Sequence, residues 1–302
     1  MAVDFLQLSL VPMLIAVLAS MACALPGNFL VLRQQSLIGD AVSHVVLPGV
    51  VGAFVVTGTI ATAPMLIGAA LAALFAVGLI EIIRRLGKVE PGAAMGVVFT
   101  ALFAAGVVWL EQSNSASVHL DVEHVLYGNL ESLIWLDADS WFALVDPVAL
   151  ATVPEQLGRL AWVMAVVAVV IWLLWRPLVI GTFDPAFAAS TGARPGLTSL
   201  ALLVVVALSA VAAFEAVGAI IVVAMFICPA AAARLMTNKL HVQVAWSLVF
   251  ATTAAIGGYT LAAWGPIWLG FEHSVSAAGM IATTGGLILL LACCFGPCRR
   301  SR

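Results

Sequence analysis

One short stretch of this sequence, residues 33–52, places an acid and a histidine between long apolar runs. Asp40 and His44 are four residues apart, so on a helix they lie on one face and direct an oxygen and a ring nitrogen to the same point. Ionisable side chains at membrane depth are costly, and those that persist usually line the path of a substrate. These two residues are therefore the first candidates for the chemistry of this chain.

The types of the two side chains indicate which ion they would bind. A carboxylate oxygen together with an imidazole nitrogen suits Mn²⁺, Fe²⁺ or Zn²⁺ better than Ca²⁺ or Cu⁺. Two protein ligands completed by water or carbonyl groups give weak coordination, which a transit site needs because the ion has to leave. Pro48 and Gly49 follow directly, and we expect them to break the helix so that freed carbonyls line a cavity.

Two other roles for the pair are open at this point. A histidine titrates near neutral pH, so Asp40 and His44 are also suited to a proton relay. The remaining alternative is structural: an Asp40–His44 hydrogen bond, or an ion pair between Asp40 and Arg33, that holds two helices together.

The composition sets the surroundings of this pair. Hydrophobic residues make up 64% of the chain and charged residues only 9%, which excludes a soluble globular protein and predicts an all-α, polytopic membrane protein. The apolar runs are too long and unbroken for the alternating strands of a membrane barrel. The first run, 5–32, is too long for a signal peptide, so we expect it to be retained. Residues 1–302 are expected to form a single membrane domain.

We expect about nine spans, within a range of roughly eight to ten for this length. The spans are placed at about 5–32, 37–57, 62–84, 92–111, 162–178, 198–214, 216–235, 244–264 and 277–296. Eleven of the twelve basic residues then fall on one side of the membrane, and only Arg159 falls on the other. This asymmetry predicts an external N-terminus and a cytoplasmic C-terminus, with the basic tail inside.

The long segment 112–160 is predicted to be external and to form short helices at the membrane interface, where Trp135 and Trp141 are suited to lie. The external loops are acidic, and an acidic mouth attracts cations. The alternative is ordinary solvated loop surface. Glu215, at the junction of two spans, lies either at the outer interface or within the bundle. The residues in 112–160 that are candidates for the entrance or path are His119, Asp121, Glu123 and His124.

One cytoplasmic loop, residues 182–196, carries the sequence marks of a short helix. Asp184 is a suitable N-cap and the next residue is a proline, which is favoured in the first helical turn. Gly192 is suited to end the helix. The small residues between them, including Ala188, would allow a partner protein to approach closely. A simple capped turn is the alternative.

Several motifs are absent from the sequence. It contains no phosphate-binding loop, no zinc-protease motif and no nucleophile elbow, so we expect a transporter subunit rather than an enzyme, with any ATP hydrolysis carried out by another chain. The five cysteines form no Cys-x-x-Cys pair, which argues against a disulfide framework or a thiolate metal site.

The stretch from Ser36 through Asp40 and His44 to Val50 resembles the signature of the zinc/manganese/iron ABC permeases, the ABC-3 family. Three later stretches support the resemblance. They are 217–220 with 229–235, which is similar to a second signature; 183–192, which is similar to the segment that docks on the ATPase; and 119–130, which is similar to the manganese-type branch. The resemblance covers almost the whole chain and implies the permease bundle of a type II-like importer.

The resemblance also implies roles and partners. Asp40 and His44 would be ligands of the transported ion, with Mn²⁺ expected first, Zn²⁺ second and Fe²⁺ third, and the chain would bind no cofactor of its own. Asp184, Ala188 and Gly192 would lie in the coupling helix. The partners would be a second permease subunit (the same chain or a different one), two cytoplasmic ATP-binding subunits, an extracellular or periplasmic metal-binding protein and the lipid of a bacterial plasma (inner) membrane, with no nucleic acid. The alternative function is a proton-coupled secondary metal transporter, although the second half of the chain has no matching acid–histidine pair.

Overall fold

The computed structural model describes residues 5–58, 62–112, 130–138, 140–191, 194–268, 270 and 275–298, and all regular structure in these ranges is helical. A π-helical turn, Leu6–Leu10, leads into helix α1, Val11–Leu32. The α-helices that follow are α2 (Leu37–Thr57), α3 (Thr62–Gly87), α4 (Pro91–Gln112), α5 (Pro147–Leu150), α6 (Glu155–Leu173), α7 (Trp175–Phe183), α8 (Pro185–Ser190), α9 (Pro195–Val217), α10 (Ala219–Met236), α11 (Leu240–Trp268) and α12 (Ala277–Phe295).

Seven helices in the described ranges are long and apolar enough to cross a membrane: α1 with its π-helical turn, α3, α4, α6, α9, α11 and α12. Helices α2 and α10 contain shorter apolar segments, His44–Thr57 and Ile221–Met236, which are not counted among the seven. The predicted all-α membrane fold is therefore confirmed, while the predicted count of nine spans stays a prediction.

Helix α1 lies at the centre of the bundle, where it packs against α6, α9, α10 and α11. Ile15, Ala19, Cys23 and Phe29 on this helix are completely buried. Helices α2, α3 and α4 form a second group, and α9 and α10 both contact α2 and so join this group to the central helix. Small side chains favour such close packing in a membrane, since apolar surface gains nothing by leaving lipid.

A buried polar cluster joins α1 to α11. Asn28 Nδ2 donates to Ser247 Oγ at 2.7 Å, and Gln243 Nε2 donates to Asn28 Oδ1 at 3.1 Å. All three side chains are completely buried. Hydrogen bonds between membrane helices contribute about 0.6 kcal/mol each on average. The cluster therefore fixes the register of α1 against α11, which apolar contacts alone would not do.

Two helix ends differ from the sequence prediction. The fifth span was expected at 162–178, but α6 ends at Leu173 and α7 begins at Trp175. The reason lies in Pro177, which has no N–H to donate to the carbonyl of Leu173. The next junction was expected at Glu215 and lies at Gly218, whose φ of 85° is readily adopted only by glycine.

The described part of segment 112–160 contains short helices at Leu130–Ser132, Trp141–Leu144 and Pro147–Leu150, while its external location stays a prediction. Trp141 is exposed, as suits an interfacial position, but Trp135 is buried, and its indole N–H donates to the Ala149 carbonyl at 3.0 Å. The Trp135 amide also donates to the Gln7 carbonyl at 2.8 Å. This segment is thereby attached to the first helix of the bundle.

Helices α2 and α3 cross at two glycines, and this contact gives the first testable prediction. A Cβ atom at Gly49 would lie 2.6 Å from the carbonyl oxygen of Gly68, and one at Gly68 would meet the Gly49 carbonyl in turn. We expect Gly49→Ala and Gly68→Ala each to cost about 1–3 kcal/mol, because the helices must move apart. Thermal unfolding of the purified protein in detergent would measure the loss.

Gly78→Ala in α3 is the matched control, because a Cβ atom there meets nothing within 4 Å. This control should unfold at the wild-type temperature or above, since alanine favours the helix. An unchanged melting temperature in both Gly49→Ala and Gly68→Ala would contradict the close crossing.

Candidate functional site

Helix α2 carries the acid–histidine pair on a continuous helix, Leu37–Thr57. Four residues correspond to about 6 Å along a helix, so Asp40 and His44 lie one turn apart on the same face. The side chain of Asp40 lies outside the described part of the structure. The helical backbone therefore places both residues on one face, as the sequence predicted. Of the two side chains, only that of His44 is described.

The imidazole of His44 is half-buried and lies against two rings of helix α4. It stacks on Phe99 with ring centroids 5.5 Å apart and an interplanar angle of 21°. It also contacts Phe103 edge to face at 5.8 Å and 77°. We call Phe99 and Phe103 the aromatic cradle. A metal ion approaches an imidazole nitrogen in the plane of the ring, so a stacked face still leaves the ring able to act as a ligand.

Helix α10 lies on another side of the same turn. Phe226 is completely buried, and its ring would lie 3.0 Å from a Cβ atom on Gly39, the residue before Asp40. The turn of α2 that holds the pair is therefore contacted by aromatic side chains from α4 and from α10.

The break expected at Pro48 and Gly49 is absent, because α2 runs through both residues as a helix. Neighbouring helices hold it in place. A Cβ atom at Gly106 of α4 would lie 2.7 Å from Cβ of Pro48, and Gly49 is packed against Gly68 of α3. Pro48 still lacks the N–H that would bond the carbonyl of His44. The proline thus weakens the helix one turn after the histidine without interrupting it.

Glu215 lies in the last turn of α9, and its side chain is outside the described part of the structure. The residues around it are buried: Phe214 is 8% exposed, Ala216 1% and Val217 0%. Both α9 and α10, the helices that meet at this junction, pack against α2. The neighbours of Glu215 are therefore buried, while the choice between the two positions that the sequence allowed for this acid stays open.

The candidate entrance residues His119, Asp121, Glu123 and His124 lie outside the described residues. Within the described ranges, no three side chains of the types His, Cys, Asp or Glu lie close enough together to hold a metal ion. Those ranges of one chain therefore do not form a complete coordination shell.

Helix α8 has the N-cap that its sequence predicted. The Asp184 side chain accepts a hydrogen bond from the Phe187 amide at 2.9 Å, and Pro185 occupies the first turn. The helix ends at Thr191. Gly192, the expected C-cap, lies outside the described residues.

The exposed face of α8 differs from the expectation. Ala188 was proposed as a point of close approach for a partner, but it is only 1% exposed because it packs into the chain's own bundle. Phe183 and Phe187 are 59% and 54% exposed instead. Their spacing of four residues, with a small residue beside them, is the pattern in the sequence that would have identified them.

Arg33 has partners that the sequence did not indicate. Its Nε donates to Thr182 Oγ1 and its Nη1 donates to Ser199 Oγ, both at 2.9 Å. These partners differ from the Asp40–Arg33 pair considered above. Burial, together with the nearby charge of Arg84, lowers the pKa of Arg33 from its ordinary value. Arg33 thus joins the end of α1 to α7 and α9, on either side of α8.

Comparison with known proteins identifies relatives along nearly the whole chain. The family model described as the ABC 3 transport family matches residues 4–144 and 148–296. The manganese transport system membrane protein MntD of Bacillus subtilis is 37% identical over 281 residues, which cover 93% of this chain and 90% of that protein. The zinc transport system membrane protein TroD of Treponema pallidum is 35% identical, over 94% of this chain and 73% of that protein.

A solved structure has the same fold. The structure described as PsaBC from Streptococcus pneumoniae in complex with Fab aligns with a TM-score of 0.74 and 26% identity, over 96% of this chain and 92% of the matched chain. The sequence resemblance to the metal permeases and the all-α membrane fold are therefore both confirmed.

The N-cap of α8 gives the second testable prediction. Asp184→Ala removes the acceptor for the Phe187 amide and should destabilise this short helix by about 1 kcal/mol. Hydrogen exchange measured by mass spectrometry should then show faster exchange in peptides covering residues 185–191. Asp184→Asn is the matched control, because asparagine caps about as well as aspartate. Equal protection in the wild type and in Asp184→Ala would contradict the capping role.

Proposed function

This chain belongs to the ABC 3 transport family, and from that premise we propose that it is the membrane-spanning permease of an ABC importer for a divalent transition-metal ion. Mn²⁺ is the first expected substrate, Zn²⁺ the second and Fe²⁺ the third. The names of the Bacillus and Treponema relatives support a metal substrate. The observation that carries the proposal is the Asp40–His44 pair, one turn apart on a largely apolar helix.

In this proposal, Asp40 and His44 bind the ion during transit. The carboxylate supplies a hard oxygen and the neutral imidazole a nitrogen, a combination suited to Mn²⁺ and Zn²⁺. Water, backbone carbonyls or the second permease subunit would complete the coordination. An incomplete shell holds the ion weakly, and weak binding lets the ion pass on to the cytoplasm.

The aromatic cradle would fix the direction of the histidine nitrogen. Stacking on Phe99 and the edge contact with Phe103 set the plane of the imidazole before the ion arrives. A ligand whose orientation is fixed in advance loses little conformational freedom when it binds. Pro48 would let α2 bend beside this site, because the helix lacks one hydrogen bond there.

Energy would come from two cytoplasmic ATP-binding subunits, since the sequence contains no phosphate-binding loop. These subunits would dock on α8, in the segment that holds Asp184, Ala188 and Gly192. The exposed rings of Phe183 and Phe187 support this assignment, because apolar side chains exposed on a cytoplasmic loop are suited to a protein interface.

The external side would receive the ion from an extracellular or periplasmic binding protein, next to the acidic segment that holds His119, Asp121, Glu123 and His124. Glu215 would lie along the path within the bundle. The distribution of basic residues supports an external N-terminus and a cytoplasmic C-terminus in a bacterial plasma membrane. A second permease subunit, identical or different, would complete the pathway.

Substitution of the two ligands is the third testable prediction. We expect Asp40→Ala and His44→Ala each to lower metal uptake by at least roughly 10–100-fold. Loss of an outer-shell partner of a metal site already has an effect of that size, and these substitutions remove a direct ligand. Uptake of Mn²⁺ or Zn²⁺ into vesicles that hold the whole complex would measure the change, with assembly checked by size-exclusion chromatography.

His241→Ala and Glu90→Ala are matched controls, because both residues are exposed at cytoplasmic-side helix starts. Both controls should transport at the wild-type rate. Normal uptake by assembled Asp40→Ala and His44→Ala complexes would show that the pair does not bind the transported ion.

Dependence on ATP is the fourth testable prediction. Vesicles that hold the complete complex and the binding protein should accumulate metal only with ATP, and vesicles with this chain alone should accumulate none. Mn²⁺ and Zn²⁺ supplied together, with metal analysis of the vesicle contents, would rank the two ions. Accumulation by this chain alone under a proton gradient would instead support the proton-coupled secondary transporter.

A further inference from the structure

Arg33 occupies the junction between the central helix and the helix of the ion site. It is the C-cap of α1, and its amide donates to the Phe29 carbonyl at 3.0 Å. Gln34 follows in the left-handed conformation, with a φ of 56°. The Gln35 amide then donates back to Leu30 at 2.9 Å, which is the hydrogen bond of a Schellman turn. This turn is tight, so a displacement of Arg33 displaces the start of α2.

The guanidinium of Arg33 reaches both ends of the segment that holds α8. Thr182, which accepts from Nε, lies two residues before the N-cap Asp184. Ser199, which accepts from Nη1, lies in the first turns of α9, after α8 has ended. Both distances are 2.9 Å. One rigid, planar group therefore fixes the spacing between the two chain segments that support α8.

The chemistry around Arg33 indicates a positional role more than a stabilising one. Its described partners are neutral hydroxyl groups, and the charged residue that acts on its pKa is another cation, Arg84. Its third nitrogen, Nη2, is buried and has no hydrogen-bond partner among the described residues. Burying a cation with no carboxylate among the described side chains is unfavourable, and the end of the α1 dipole offsets part of the cost. We therefore interpret Arg33 as a residue that holds the segments on either side of α8 at a fixed spacing.

We propose that Arg33 is the positioning residue that couples movement of α8 to the turn before Asp40 and His44. This inference rests on the proposed function, in which ATPase subunits dock on α8 and the ion binds to α2. A shift of α8 moves Thr182 and Ser199, these acceptors move the guanidinium, and the guanidinium moves the α1–α2 turn. Loss of Arg33 would leave both sites intact but disconnected.

The fifth testable prediction follows from this role and concerns the ratio of ions imported to ATP hydrolysed. In the complete complex with its binding protein, Arg33→Gln should assemble and hydrolyse ATP while this ratio falls by about tenfold, within the usual range of coupling between two sites. Arg33→Lys should also lower the ratio, because an ammonium group lacks the planar fork that reaches both hydroxyls. A purely structural role would lower the amount of assembled complex and leave the ratio unchanged.

Arg84→Gln is the matched control, because Arg84 is a neighbouring cation that pairs within α3 with Glu81 at 2.9 Å. This control should keep the wild-type ratio. The double variant Thr182→Val and Ser199→Ala removes both acceptors but keeps the arginine, and it should be uncoupled like Arg33→Gln. It therefore decides the question if Arg33→Gln fails to assemble.

Three results separate this inference from the proposed function. A wild-type ratio in assembled Arg33→Gln, or in the double variant when Arg33→Gln does not assemble, would overturn the role of Arg33 alone. An equal fall in Arg84→Gln would also overturn it, since any nearby charge would then be sufficient. A wild-type complex that hydrolyses ATP but imports neither Mn²⁺ nor Zn²⁺ would overturn the proposed function, and this inference with it.

Discussion

The absence of water inside a lipid bilayer is the constraint on which this structure depends. Every backbone polar group at membrane depth must find its partner within the protein, so the candidate spans are helical and the irregular backbone of the described chain lies between helices. Two positions depart from regular helical hydrogen bonding. Pro48 removes one backbone donor inside α2, and Gly218 turns the chain between two buried helices. Pro48 follows the polar pair by one turn, and Gly218 follows Glu215 by three residues, so both lie close in sequence to candidate path residues.

Side-chain polarity follows the same constraint. Few polar groups are buried in the described bundle, and two sets of them join helices to one another. The Asn28 cluster joins α1 to α11, while Arg33 joins the end of α1 to both sides of α8. His44 is contacted by the aromatic rings of Phe99 and Phe103. Stacking on the face of an imidazole does not cover the ring plane, in which a metal ion approaches a ring nitrogen.

Features that depend on neighbouring residues were predictable from the sequence, whereas those that depend on distant residues were not. The apolar runs and the Asp184 cap follow from local chemistry, and both are present. The continuity of α2 through Pro48 could not be predicted, because it depends on Gly106 of another helix. The partners of Arg33 lie 149 and 166 residues away, beyond the reach of any spacing rule. The burial of Ala188 likewise reflects how α8 folds back onto the bundle.

The buried amides between α1 and α11 have a consequence for how such a protein can move. Sliding one helix past the other by a single residue, about 1.5 Å, would separate Asn28 from both Ser247 and Gln243 and leave amide groups unpaired in an apolar interior. These two helices are therefore locked in register and move as one body. The contact between α2 and α4 includes stacked rings and a glycine packed against a proline. In the proposed transport cycle, alternating exposure of the polar pair would occur by displacement of α2 relative to α4, while α1 stays in place with α11.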